Sequence, residues 1–361
     1  MNYKIIITAS LIFLNFSSLS AQNETETRNF IKTLPVSRET LLEISNKYGR
    51  IEITPWNKDS AYIRAEVKAY GKDRSKLSKM FDGITVNIND SKYMVRAQTE
   101  FTSNINTLFE SFKGMTSKII SYDSRIEINY YINIPEYLNL RIENKYGDVY
   151  MENNTGEFRI TISNGSFKAN SLGKNSSINM VFCDAKINSV VSGNIDASFS
   201  EVSIDETEDL SINSISSKYN IRKAGILRTE SKRDKFFIEN VETIQGNAYF
   251  TDYKINKLMK EAKITTRYGS FNTDLIEKEF ESININSNFS DISLVFDQGS
   301  AYNLEIRHIN AFLVLQDKSM KTEEKTINED RKEYLTSGTA GKNPGNSKVR
   351  IDATRGNIYL K

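Results

Sequence analysis

The chain has 361 residues, 39% of them hydrophobic and 26% charged, with 48 basic and 46 acidic side chains and a net charge of +2. That balance suits a folded soluble protein and removes any whole-chain electrostatic case for nucleic acid or an anionic membrane. A single cysteine, Cys183, excludes an internal disulfide, and with a single histidine, His308, no zinc pattern can be assembled.

Residues 1–21 read as a secretory signal peptide. Residues 1–4 are short and basic, residues 5–16 are apolar, and Leu19-Ser20-Ala21 offers a small-residue cleavage site before Gln22. The apolar run is shorter than the roughly 20 residues of a membrane span, and no later segment is longer, so no transmembrane segment is expected in the mature chain. Residues 22–37 read as an extended lead-in. Residues 42–53 then alternate with period two on both sides of Tyr48-Gly49, and the phrase returns at 140–149 around Tyr146-Gly147-Asp148. Between the two lie strand patterns over 62–70, 84–88, 93–101 and 125–134, with a loop over 102–124. Leu77, Met80 and Phe81 have helix-like spacing. Residues 38–135 are therefore expected to form an N-terminal α+β cap or subdomain.

Residues 136–296 carry a ladder of one unit: an aromatic, two small or polar residues, then a core-type residue. Phe182-Cys183-Asp184-Ala185, Phe199-Ser200-Glu201-Val202, Phe250-Thr251-Asp252-Tyr253, Tyr268-Gly269-Ser270-Phe271 and Phe289-Ser290-Asp291-Ile292 are versions of it. The unit returns about every 18 residues, the mark of a stacked array. Each repeat reads as two short strands joined by a corner, where Gly, Asp, Asn or Ser tolerates positive φ. The expectation is an all-β solenoid, a single-stranded right-handed parallel β-helix of about 18-residue coils. An antiparallel β-meander is the alternative. The corner set is Tyr48, Gly49, Tyr146, Gly147, Asp148, Phe182, Asp184, Phe199, Glu201, Phe250, Asp252, Tyr268, Gly269, Phe289 and Asp291.

Two columns follow from stacking these corners. Alternation assigns the aromatic column to the core; turned outward, it would make a platform for sugar rings. Asp148, Asp184, Glu201, Asp252 and Asp291 would form an acidic column, interrupted at Ser166, Lys235 and Ser270. Two carboxylates at suitable separation hydrolyse glycosidic bonds, but Asp suits a β-corner in any protein.

Residues 297–361 read as a C-terminal capping region. Residues 317–333 are Lys- and Glu-rich and fit a helix or a mobile loop. A flexible loop is expected at 335–347, and residues 349–360 look like a last strand pair capping the stack. No Gly-x-Ser-x-Gly elbow and no calcium loop occurs. His308 reads as a surface residue, and Trp56 as packing. No catalytic residue, metal ligand or cofactor is assigned.

The run Asn46-Lys47-Tyr48-Gly49-Arg50-Ile51-Glu52-Ile53-Thr54-Pro55-Trp56, the central Asn144-Lys145-Tyr146-Gly147-Asp148-Val149, the ladder and the closing Gly356-Asn357-Ile358-Tyr359-Leu360 carry a resemblance. Over residues 38–361 the chain resembles the putative adhesin family of secreted bacterial β-solenoid proteins, a domain of unknown function of Bacteroidetes type. The resemblance implies an exported β-helical protein with no established catalytic residues, in the periplasm, at the outer membrane or at the cell surface. The leading expectation is a non-enzymatic binding or scaffold module, with a glycan, matrix or envelope-protein partner. The alternatives are an envelope signalling or assembly factor and a β-helical carbohydrate-active enzyme. A binder should show an extended exposed stripe, a signalling factor an apolar patch on 38–135, and an enzyme a groove with convergent carboxylates.

Overall fold

The computed structural model describes residues 24–71, 74–102, 124–317 and 319–361. The signal peptide expected at 1–21 lies outside the described residues, as does the loop expected at 102–124 apart from its two ends. The rest is nearly all strand, joined in one long, mostly parallel sheet, with one short helix.

The first strands are β1 (Glu24–Pro35), β2 (Leu41–Lys47), β3 (Ile51–Pro55) and β4 (Ser60–Gly71). Helix α1 (Arg74–Asp82), β5 (Ile84–Ser91), β6 (Met94–Phe101) and β7 (Ser124–Ile134) follow. The stretch read as a lead-in is largely β1, which runs antiparallel to β4 along its whole length. β4 pairs antiparallel with β7, and β5 with β6. Leu77 and Phe81, four residues apart on α1, both point into the core.

The repeats supply β8 (Asn139–Lys145), β9 (Val149–Asn154), β10 (Phe158–Leu172), β11 (Ser176–Ser198), β12 (Glu201–Ile215) and β13 (Lys218–Lys232). They continue as β14 (Lys235–Tyr249), β15 (Asp252–Arg267), β16 (Ser270–Ile276), β17 (Ser282–Asn288) and β18 (Asp291–Phe296). Like residues stack. Ile187, Ile204, Ile221, Ile238 and Ile255 lie opposite one another in successive parallel pairings. Each repeat gives one segment before its corner and one after it, and each segment pairs in parallel with its counterpart one repeat away. Two columns of strand segments result. Parallel neighbours need a crossover, which here is the remainder of the repeat. Over the repeats this overturns the antiparallel meander. β2 and β3 belong to the same columns, because β2 pairs with β8 and β3 with β9 in parallel. Residues 60–134 thus lie in sequence between these two rungs, and within them β6 and β7 pair in parallel with β2 and β3 and extend the columns on their other side. Buried side chains of both columns form one hydrophobic cluster, which includes an internal stack of Tyr219, Phe236 and Tyr253 at 4.7 and 4.9 Å between ring centres.

The C-terminal region departs from expectation in four places. Its strands are β19 (Tyr302–Ile309), β20 (Phe312–Leu315), β21 (Lys321–Asn328), β22 (Glu333–Ala340), β23 (Lys348–Thr354) and β24 (Asn357–Leu360). The supposed flexible loop at 335–347 begins as strand β22, held antiparallel between β19 and β21. The Lys/Glu-rich stretch is β21, fully exposed, and its charges discourage further strand addition at that edge. The last strand pair does not cap the stack. β23 lies between β17 and β19, and β24 between β18 and β20, so an earlier segment of chain forms the terminal rung. His308 is buried, because it shares the inward parity of Leu304 and Ile306; it stacks on Tyr334 at 5.4 Å.

Candidate functional site: an outward aromatic ladder

Each rung turns from one column to the other at a residue with left-handed backbone. In stacking order these are Tyr48, Tyr146, Asn164, Phe182, Phe199 and Ser216, then Arg233, Phe250, Tyr268, Phe289, Arg355 and Asn310, with φ between 46° and 65°. Hydrogen bonds hold the turn in register, as from Phe199 N to Ile215 O (3.0 Å) and from Phe250 N to Arg267 O (2.9 Å). Asn tolerates this conformation; for Phe and Tyr it is an outlier costing on the order of 1–3 kcal/mol.

The left-handed residue resets the alternation, so the ring that parity assigns to the core points out. Phe182, Phe199, Phe250 and Phe289 are 57%, 54%, 46% and 39% exposed. Phe182 stacks on Phe199 at 5.0 Å, Phe250 on Tyr268 at 5.0 Å and Tyr268 on Phe289 at 5.1 Å. Tyr48 and Tyr146 stack at 5.5 Å at the N-terminal end. Cations cover parts of the ladder: Arg267 lies 5.2 Å from the Tyr268 ring centre and Arg355 4.7 Å from that of Phe289. Val181, Ile215 and Tyr249 are also exposed, each one residue before a ladder position. Stacking is worth about 0.5–1.5 kcal/mol per pair, no more than the strain it accompanies. Neither burial nor backbone preference explains bulky rings here.

From Tyr48 to Phe289 the residue after each corner position turns inward and is small or polar. It is Gly at 49, 147 and 165, where successive backbones touch. Further along, side chains cap the amides of the preceding rung. Ser200 Oγ accepts from Cys183 N at 3.1 Å, Ser217 Oγ from Ser200 N at 3.2 Å, and Asp234 Oδ1 from Ser217 N at 2.7 Å. Cys183 is buried in this file, and burial pushes its thiol pKa up, against the demands of a nucleophile.

The acidic column is in register, and four of its five carboxylates are engaged by a neighbouring donor. Asp148 accepts the Ser166 hydroxyl (2.7 Å) and amide (2.9 Å). Burial pushes the Asp148 carboxyl up, but the bonds from Ser166 and Tyr150 outweigh it and hold the group below its ordinary value. Glu201 pairs with Lys218 at 2.8 Å, Asp252 accepts from Ser270 at 2.7 Å, and Asp291 accepts the Asn357 amide at 2.9 Å. Gly269 approaches the Thr251 carbonyl in the inner file. Asp184 alone of the five carboxylates has no such bond among the described residues. Asp184 lies beside Glu201 in register, but Glu201 is held by Lys218.

No protein-family model and no curated protein matches the chain. Among solved structures it is similar to a putative cell adhesion protein from Clostridium sporogenes, at 12% identity and a TM-score of 0.20, over 93% of this chain and 100% of that one. It is also similar to a putative adhesin from Bacteroides fragilis, at 12% identity and a TM-score of 0.25, over 92% of this chain and 97% of that one. Superpositions this loose carry no argument about function, which rests on the residues themselves. No helix among the described residues is long and apolar enough to cross a membrane, and none of their His, Cys, Asp and Glu side chains gather into a group of three or more able to hold a metal.

Proposed function

We propose that the chain is an exported, non-enzymatic binding module of the bacterial envelope or surface, adhesin-like in action. Its outer aromatic ladder is the contact surface for a glycan. The carrying observation is that Tyr146, Phe182, Phe199, Phe250 and Phe289 are exposed at strained corner positions along one edge of the stack. Such a cost is retained where a surface has work to do. In this reading the two columns wind as a right-handed parallel β-helix after removal of residues 1–21, and repeated corner contacts along the stiff stack give multivalent binding. Four of the five column carboxylates are already engaged by neighbouring donors, which weighs against glycosidase chemistry. The signalling alternative would need an apolar patch on residues 38–135; among the described residues of that stretch, Tyr93 is the single large hydrophobic left exposed.

The test is a variant carrying Phe182→Ser, Phe199→Ser, Phe250→Ser and Phe289→Ser. Ser216 already occupies the same backbone slot, so the fold should survive with a melting temperature within about 5 °C of wild type. On a glycan array, wild type should bind and the variant should lose at least about tenfold in affinity. Equal binding by both proteins, or no glycan bound by wild type, would overturn the proposal.

A further inference from the structure

The ladder is broken between Phe199 and Phe250, where Ser216 and Arg233 take the corner slots. One face of Phe199 is covered by Phe182 and one face of Phe250 by Tyr268, so each ring has its other face toward the break. Three rung steps of about 4.8 Å separate these rings, against one step between stacked neighbours and two between Tyr146 and Phe182 across Asn164. The break coincides with a shallow depression of about 480 Å³ whose lining includes Phe199, the cations Lys218, Arg233 and Lys235, and the carboxylates Asp184 and Glu201.

Its charge is local and unbalanced. Lys232, Arg233 and Lys235 are exposed on a single rung, on three adjacent positions across the edge, while Asp234 between them points inward. None of the three has an ion pair among the described residues. Lys235 sits beside Asp252 in register, but that carboxylate takes the Ser270 hydroxyl. Lys218, one rung back, is neutralised by Glu201. Asp184, beyond the Lys218–Glu201 pair, and Asp252 flank the cluster in the same column, so a uniform polyanion running along the edge would meet repulsion on both sides. A single anionic group between two apolar ring faces would not.

We infer that this break is the subsite for one acidic sugar residue, carboxylated or sulfated, within a glycan lying along the ladder. The inference rests on the ladder being a glycan surface. The sugar's anionic group sits on Arg233, with Lys232 and Lys235 beside it, and the sugar ring lies against the open face of Phe199 or Phe250. Charge-assisted bonds to the guanidinium give selectivity, and the rings give contact area that any sugar can use.

Calorimetric titration with an oligogalacturonate, a sulfated heparin-type oligosaccharide, a neutral cello-oligosaccharide and oligodeoxythymidylate, at about 0.15 M salt, tests it. One of the two acidic oligosaccharides should bind tightest, and which one identifies the anion. Arg233→Glu and Lys235→Glu should each weaken it by about tenfold or more while leaving neutral-sugar binding unchanged. Ser216→Phe, which continues the ladder into the break, should also abolish the acidic preference. Melting temperatures of all three variants check the fold. Neutral sugars bound as tightly as acidic ones, with no effect of Arg233→Glu, would overturn this subsite and leave the glycan-binding module standing. The nucleic acid bound best would overturn the subsite as well. No binding of any oligosaccharide would overturn both.

Discussion

Gly147→Ala should destabilise the protein by about 3 kcal/mol or more, although it adds one methyl group. A Cβ at Gly147 would fall on the backbone carbonyl of Gly49, and Gly165 stands in the same relation to Gly147. The obstacle is backbone, so no rotamer change relieves it. The methyl group pushes apart the junction where β3 joins β9 and β2 joins β8. In a stacked array each rung is stabilised mainly by its neighbours, so the damage should be local. Urea unfolding should show the loss, and hydrogen exchange should show faster opening of residues 41–71 than of 218–267. A change under about 0.5 kcal/mol would mean that the rungs are not in contact at Gly147.

Asp234 is the second sensitive point. It is buried and accepts from Ser217 N (2.7 Å), Ser231 Oγ (2.6 Å) and Lys232 N (3.1 Å). Asp234→Ala removes the acceptor of the buried Ser217 amide and the part-buried Lys232 amide and leaves Ser231 Oγ only Thr251, and a loss of about 3 kcal/mol is expected. Asp234→Asn keeps an acceptor in place and should cost less. The pair separates by pH. Burial raises the Asp234 carboxyl above its ordinary value of 3.8, in spite of the donors around it. The folded state then holds the proton more tightly than the unfolded state. This contribution to stability is complete below the unfolded value and is lost as pH rises through the folded one. The stability of wild type relative to Asp234→Asn should therefore improve on acidification across that window. A difference that is flat with pH, or that favours Asp234→Asn more at low pH, would contradict the buried acid.

Much of the architecture is legible in the sequence. The returning aromatic unit marks the repeat, and the two Tyr-Gly phrases at 48–49 and 146–147 mark where the stack starts and resumes. The direction of the rings is not legible from alternation. Ile178, Met180 and Phe182 share parity, so Phe182 reads as core until the left-handed turn at that residue rotates its side chain outward. Gly, Ser, Asp and Thr at the following position look like the residues that need positive φ, but they are there because the interior is narrow. Of the internal stack, Tyr253 is legible as the core-type residue of its unit, but Tyr219 and Phe236 are not, since they lie three residues after the non-aromatic corners Ser216 and Arg233. At the C-terminus the last strand pair inserts between two earlier ones, a long-range choice that local pattern cannot carry.

Hydroxyl-radical footprinting, with and without a glycan found on the array, tests the outward ladder most directly. In the free protein Phe182, Phe199, Phe250 and Phe289 should oxidise quickly, while Phe158, Phe167, Phe236 and Phe271 should stay protected. Adding the glycan should protect the first set and leave the second unchanged. Slow oxidation of the ladder rings in the free protein, or ladder oxidation unaffected by bound glycan, would contradict the account.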